Sequence, residues 1–460
     1  MTMAYPSYRP SKVEWLGSLP QHWGVRRIKE TSYLKARVGW KGLTSDEFMY
    51  SGFAYLVTGT DFRAKFIDWS DCYCVDRDRY DDDPFIQLEN GDLLITKDGT
   101  IGKLAIVIDL EKPACLNSGI FVVRPIKAYT TSYLYWVLSS PNFTHFCDLG
   151  SYGSTIQHLY QNVFENFSFP IPPIDEQTAI ANFLDRETGK IDALVEEQKR
   201  LVELLKEKRQ AVISHAVTKG LNPNVPMKAS GVEWLGDVPQ HWEVSPLKRV
   251  WSVTDCKHVT AEFVDDGVPL ASIRECQAKF IDLSAAKQTT DEFYEVLIEG
   301  GRKPQSGDLI FTRNATVGAV SQVAEWHSNF AMGQDVCLLR KTSVEQSSDF
   351  LQYVLEATST TQQLDVLMIG STFKRVNVEE IRNLRVPFPS PTEQAEIVQY
   401  LDDKVGTFDD LIAEAERAVG LLRERRAALT SAAITGKIDV RNLASEKLVS
   451  ASAPLETVLA

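Results

Sequence analysis

The sequence has no run of about 18 apolar residues, the least that crosses a bilayer as a helix, so no membrane span is expected. Its opening, MTMAYPSYRPSKVEW, has no apolar core of the secretory kind. Cysteine is scarce and scattered. Cys72, Cys74, Cys115, Cys147, Cys256, Cys276 and Cys337 are odd in number and lack paired spacing, which argues against a disulfide framework and against a zinc site. The expectation is reduced thiols in a cytoplasmic protein.

Catalytic signatures are missing as well. There is no glycine-rich phosphate loop and no G-x-G-x-x-G after a strand. No Asn-Pro-Pro-aromatic tetrapeptide occurs; Asn222-Pro223-Asn224 falls in a linker. The single Glu-x-Lys, Glu197 to Lys199, sits in the middle of a helical stretch and reads as a solvated face. The seven histidines do not cluster, and no serine or cysteine stands with a base. No catalytic residue and no metal site is assigned, and the silence across 460 residues favours binding.

Basic charge is also short. The net charge is −13, whereas binding to nucleic acid is driven by phosphate neutralisation. A DNA-binding role therefore requires basic residues concentrated locally, or a partner that supplies phosphate contacts.

What the chain does have is a copy of itself. Ser11 to Val25 reads SKVEWLGSLPQHWGV, and Ser230 to Val244 reads SGVEWLGDVPQHWEV. The rest follows in register. AKFIDWS from Ala64 matches AKFIDLS from Ala278, and GDLLITKDGTIG from Gly91 matches GDLIFTRNATVG from Gly307. Gly153-Ser154-Thr155 matches Gly370-Ser371-Thr372, and FPIPPIDEQTAI from Phe169 matches VPFPSPTEQAEI from Val386. LLKEKRQAVISHAV from Leu204 matches LLRERRAALTSAAI from Leu421.

Each half begins with short apolar, β-branched segments broken by glycine and aspartate, which read as strands and tight turns. Examples are Leu93–Thr96, Leu104–Ile108 and Ile120–Arg124, with Leu309–Thr312, Val317–Val323 and Val336–Arg340 as counterparts. Tyr133–Ser139 and Phe350–Ala357 read as short helices. Each half ends in a long helix. From Asp175 to about Thr218 there is no proline and only one glycine, Gly189. Leu184, Ile191, Leu194, Leu201, Leu205 and Val212 suggest a heptad seam with polar interruptions. Leu401, Phe408, Leu411, Ala415, Ala418, Leu422, Leu429 and Ala432 repeat it. Such a rod is about 65 Å long. Ser390-Pro391-Thr392-Glu393 reads as a capping box, and Gly220 and Gly436 as glycine stops.

An apolar stripe must be covered, so the expected fold is α+β: two similar mixed modules separated by an antiparallel coiled coil of two long helices. The expected division is a first module over 1–170, a helix over 171–220, a linker over 221–230, a second module over 231–387, a second helix over 388–437 and a tail over 438–460.

These features together resemble a known family. Duplicated halves opened by W-L-G-x-x-P-x-x-W, each with G-D-[LI]-[LI]-x-T, then G-S-T, then P-x-P-x-x-x-E-Q-x-x-I leading into a heptad helix, resemble specificity subunits of Type I restriction–modification systems. The likeness extends over about residues 5 to 440. It implies a non-catalytic subunit whose two target recognition domains each read half of a bipartite, asymmetric site in double-stranded DNA. It further implies that the helices set the spacing and dock two modification (adenine methyltransferase) subunits. S-adenosylmethionine, ATP and magnesium belong to partner subunits on this view, with a restriction subunit adding translocation and cleavage. This chain holds no cofactor. A coiled-coil scaffold for protein partners is the alternative.

DNA-contact candidates are basic, hydroxyl and amide side chains on loops beside the repeated strands. They are Lys97, Asp98 and Thr100 in the first half and Arg313, Asn314 and Thr316 in the second. The G-S-T segments add Ser154, Thr155, Gln157 and His158, against Ser371, Thr372, Lys374 and Arg375. Arg63, Lys65, Arg274 and Lys279 are candidates for phosphate contact. Trp15, Trp23, Trp234 and Trp242 read as packing residues, and His22 and His241 as structural.

Overall fold

A computed structural model describes residues 4–37, 43, 47–150, 158–368 and 375–441. The chain divides into two compact units. One comprises residues 1–197 with 418–460, the other residues 198–417. Each therefore holds one globular module and part of both long helices, Ile174–Lys219 and Pro391–Ile434.

In the first unit, Ser32–Ala36, Ile120–Pro125, Leu93–Thr96 and Leu104–Ile106 form a four-stranded antiparallel sheet in that order. Its strands are apolar at consecutive positions because both faces are covered. Leu93, Ile95, Phe121 and Val123 face a core shared with the helix Thr131–Leu138 and the long helices. Leu94, Ile120 and Val122 face a second core. That core lies against a three-stranded sheet of Tyr73–Val75, Ala54–Val57 and Ala114–Leu116, in which the last pair is parallel. A two-stranded neck, Gly24–Arg27 with Ser168–Ile171, closes the module just before the long helix begins.

The second unit repeats this plan. Its four-stranded sheet runs Trp251–Asp255, Val336–Lys341, Leu309–Thr312, Val320–Gln322. Its neck is Glu243–Pro246 with Arg385–Phe388. The smaller sheet runs Phe263–Val264, Gln288–Thr289, Val268–Ala271, Ala331–Met332.

Within each unit the helix segments run antiparallel. In the first, Ile180 and Leu184 share a core with Ala433 and Ile434, while Ile191 and Val195 pack with Val419 and Leu422. Asp192 pairs with Arg426 at 2.8 Å. In the second, Arg209 pairs with Asp409 at 2.8 Å and Lys206 lies 4.0 Å from Glu416. The seam itself is displaced from the expected one. Leu184, Ile191, Leu401 and Ala415 are buried as expected, but Leu194, Leu201 and Leu411 stand exposed, and Val195, Val202, Val405 and Val419 are buried in their place. The apolar residues at the helix ends enter a core shared with a sheet module as well as with the other helix. A single 3-and-4 spacing drawn through the whole stretch joins two different surfaces.

The repeated motifs turn out to be joints between module and helix. Glu176, at the start of the first long helix, accepts hydrogen bonds from the Trp23 indole at 2.9 Å and Tyr5 at 3.1 Å, and lies 2.7 Å from His22 Nε2. Glu393 does the same with Trp242 at 3.2 Å and His241 at 2.9 Å. The adjacent glutamines cap the module helices: Gln177 accepts from the Thr130 amide and Gln394 from the Ser347 amide, each at 2.9 Å. The Glu393 amide donates to Ser390 Oγ as the capping box requires, while the Glu393 carboxylate takes the Ser390 hydroxyl in place of its backbone amide, and the helix stops Gly220 and Gly436 both hold positive φ. A Cβ on Gly436 would strike Pro20 and Trp23, and one on Gly220 would press on Trp242. Each P-Q-H-W thus grips the beginning of one helix and the end of the other.

The G-D pair is also structural. Asp92 is 1% exposed and takes a bidentate ion pair from Arg124, at 2.7 and 2.9 Å. Asp308 and Arg340 repeat it at 2.9 and 2.6 Å. All seven cysteines are free thiols. Burial pushes Cys72 and Cys276 up to about 12 and Cys115 up to about 11, so these thiols stay protonated and inert at neutral pH. No helix of the described residues is long and apolar enough to cross a membrane.

Candidate nucleic-acid interface

In both modules one end of the four-stranded sheet gathers the loops that carry the candidate readers. After Leu93–Thr96 the chain turns tightly. Thr96 donates its hydroxyl to the Thr100 carbonyl at 2.5 Å, as Thr312 does to Thr316. This places Thr100 and Thr316 at the exposed tip. The segment after G-S-T is hydrogen-bonded to the same turn. The Leu159 amide donates to Lys97 O at 2.9 Å, and the Val376 amide to Arg313 O at 3.0 Å. Two loops about sixty residues apart thus form one surface, twice.

The two surfaces differ in chemistry. In the first, Lys97 Nζ and His158 Nδ1 both hold Asp98, at 2.8 and 2.6 Å. Partial burial works to raise this carboxyl, but the hydrogen bonds from Lys97 and His158 outweigh it and leave it below the usual carboxylate range. In the second, Asn314 and Arg375 pair through their backbones in an isolated β-bridge, and the Arg375 guanidinium lies 3.9 Å from Asp335. Gln277 donates to Thr316 at 3.2 Å, adding an amide that the sequence reading did not single out. The turn also differs. Gly99 adopts a φ of 69°, and Ala315 takes the corresponding place with a φ of 57°. Left-handed backbone costs alanine about 1 kcal/mol relative to glycine, partly offset through the unfolded chain. Gly99 has nothing near its missing Cβ. Gly99→Ala should therefore destabilise the first unit by about 1 kcal/mol, while Ala315→Gly should not destabilise the second. Denaturant midpoints at constant m-value check the pair.

Other candidates are placed differently from the expectation. Lys65 lies 2.5 Å from Asp185 of the first long helix, which also accepts the Trp136 indole at 2.9 Å. Lys279 and Tyr353 hold Asp402 of the second helix in the same way, at 2.9 and 2.7 Å. The repeated lysine of A-K-F therefore ties module to helix. Arg313 is 3% exposed and its Nη2 lies 2.7 Å from Asp255, an ion contact whose angle is too poor for a hydrogen bond. Buried, it has no free edge for a base. Arg63 remains exposed, paired with Asp71 at 2.8 Å, and Arg274 is exposed beside Glu275. Ser154, Thr155, Gln157, Ser371, Thr372 and Lys374 lie outside the described residues. No cluster of metal-ligating side chains occurs among the described residues.

Paired modules of one design, with unlike polar loops at matching places, define a two-module recognition protein. The Type I restriction modification DNA specificity domain matches residues 57–204 and 241–418, and the chain belongs to that family, carrying the domain twice. Its role is DNA specificity, without catalysis of its own, and the scaffold alternative gives way. The chain is 23% identical over 376 residues to the Type I restriction enzyme MjaVIII specificity subunit of Methanocaldococcus jannaschii, covering 78% of this chain and 83% of that protein. It is 21% identical over 436 residues to the Type I restriction enzyme EcoKI specificity subunit of Escherichia coli K12, covering 92% and 90%. A chain solved in work on complex assembly and conformational transition of the type I R-M system superimposes with a TM-score of 0.66 at 15% identity. That match spans 90% of this chain and 98% of the other, and it establishes a shared fold.

Proposed function

We propose that each module reads one half of a bipartite, asymmetric DNA site in the cytoplasm, and that the two long helices fix the distance between the halves. The observation that carries this reading is the loop pair built twice on one framework with unlike polar groups: Lys97, Asp98 and His158 in one copy, Asn314, Thr316 and Arg375 in the other. Equal frameworks give equal approach to a duplex, and unlike polar groups give unlike base preference. Two modification subunits dock on the helices, where Leu194, Leu201, Leu204 and Tyr400 leave apolar surface uncovered. Those partners bring S-adenosylmethionine and the methylating site, and a restriction subunit brings ATP and magnesium. They also supply most of the phosphate contacts, because a chain of net charge −13 can make few of its own.

Removing seven residues, about two turns, from the facing stretches of both helices tests the spacing. At about 1.5 Å per residue the rods shorten by about 10 Å, close to three base pairs. Methylation-aware sequencing should then show both half-sequences intact and the gap between them reduced. A gap of unchanged length in an active complex sinks the ruler.

Lys65 and Lys279 provide a separate check. Lys65→Ala and Lys279→Ala should leave the salt dependence of DNA binding as it is in the wild type, because both ammonium groups face helix carboxylates. Each should cost stability by no more than about 1 kcal/mol. A shallower salt slope would place them on the DNA after all.

A further inference from the structure

The second module contains a cleft of about 460 Å³ that takes in Arg274 but none of the residues at the loop tips. Its floor is apolar, with Val259, Leu270, Leu297 and Met332. Its rim carries Lys257, Arg274 and Lys287 against a single acid, Glu275. In a chain with 49 basic and 62 acidic residues, that is a local reversal of charge. Lys287 is exposed, 4.5 Å from the centroid of the exposed Phe263 ring, with no carboxylate paired to it among the described residues. Lys257 is held by Glu299, and Arg274 by Glu275 and the Ala285 carbonyl.

The cleft is continuous with the recognition surface. Gly333 and Gln334 line it, and the next residue, Asp335, accepts the Arg313 amide at 2.8 Å and lies 3.9 Å from Arg375. Gln334 reaches Thr260 at 3.5 Å, and Gln277, three residues after Arg274, reaches Thr316. A duplex seated on the loops would carry its backbone past this rim.

Among the described residues, the first module does not repeat these cleft charges. Leu270 pairs with Ala331 as Leu56 pairs with Cys115. In that register Arg274, Lys287 and Gln334 correspond to Thr60, Tyr73 and Ser118.

We propose that this cleft is a backbone clamp for one half-site. Arg274 and Lys287 bind phosphates of the duplex, Phe263 and the apolar floor take the adjoining sugar, and Gln334 stands at the rim toward the base edges. The proposal rests on the DNA-reading role above and adds an asymmetry to it. The second module grips its half-site by charge where the first does not.

The test uses the chain assembled with its methyltransferase, and a duplex bearing the site that the wild-type complex methylates. Association constants are measured across a salt series for the wild type, Arg274→Gln, Lys287→Gln and the double variant. Each lost phosphate contact should flatten the dependence of log K on log salt by about 0.9. Affinity should fall on specific and random duplex alike, while the methylated sequence stays the same. Both side chains are exposed, and a thermal transition matching the wild type shows that the variants fold. Lys287→Glu should weaken binding further than Lys287→Gln. Folded variants with an unchanged slope overturn the clamp and leave the recognition role standing. Displacement of the duplex by free mononucleotide that Lys287→Gln abolishes would also overturn it, marking a small-ligand site. A wild-type complex with no preference for its own site would remove the recognition role, and the clamp with it.

Discussion

Trp23→Ala should destabilise the first unit by about 3–5 kcal/mol, the usual cost of emptying a buried aromatic site. Trp23 is 1% exposed and lies in the largest core of that unit, among Leu19, Phe169, Ile180 and Ile434. The ring touches the start of one long helix and the end of the other, so the loss falls at a joint between elements far apart in the chain. Its indole N–H also serves Glu176, which keeps Tyr5 and His22 as its other close contacts. Trp242→Ala should cost a similar amount in the second unit, where the same ring contacts Glu393 and Gly220. The two substitutions lie in different units, so calorimetry should show one transition lowered by each and the other retained. A loss under 1 kcal/mol for either would mean that the P-Q-H-W repeat does not hold the helices.

Exchange of residues 30–165 for the matching segment of another member of the family should replace one half-site and leave the other intact. The reason is the neck. The Ile28 amide donates to Phe167 O at 3.1 Å and the Lys29 amide to Glu165 O at 3.0 Å, so the module enters and leaves through neighbouring strands. Cuts just inside that ladder keep Trp23, Glu176 and the helix joints in place. The graft must keep the counterparts of Lys65 and Trp136, because both bind Asp185, and the Thr130 amide that Gln177 caps. Where they are kept, affinity for the original full site should fall by at least about 10³, the low end of the gap between specific and random binding. Methylation sequencing should find a new sequence at one end and the old one at the other. Change at both ends would refute independent reading.

The joints and the readers were legible in the sequence to different degrees. Repetition exposed both modules and both helices, because copies of one fold need the same apolar and turn residues at the same places. Leu93–Thr96 and Leu309–Thr312 are strands as expected. The helices run Ile174–Lys219 and Pro391–Ile434, within a few residues of the proline-to-glycine limits that the sequence marks. The heptad seam was less legible, since Leu194 and Leu201 satisfy the spacing yet face outward.

The roles of the repeated polar residues lay beyond sequence reasoning. Lys65 and Lys279 resemble phosphate ligands until the fold lays Asp185 and Asp402 against them. Arg313 resembles a reader until the sheet buries it on Asp255. Gln277, Lys287 and Gln334 join a surface only because loops from separate strands converge there.

By itself, then, the order of residues determined the duplication, the kind of each element and the membership of one DNA-specificity family. Those depend on local periodicity and on motifs that lie side by side in the chain. Tertiary structure alone decided which charges meet carboxylates and which stay open. That choice turns on the few ångströms between groups tens to more than a hundred residues apart, and a repeat carries structural and functional residues forward alike.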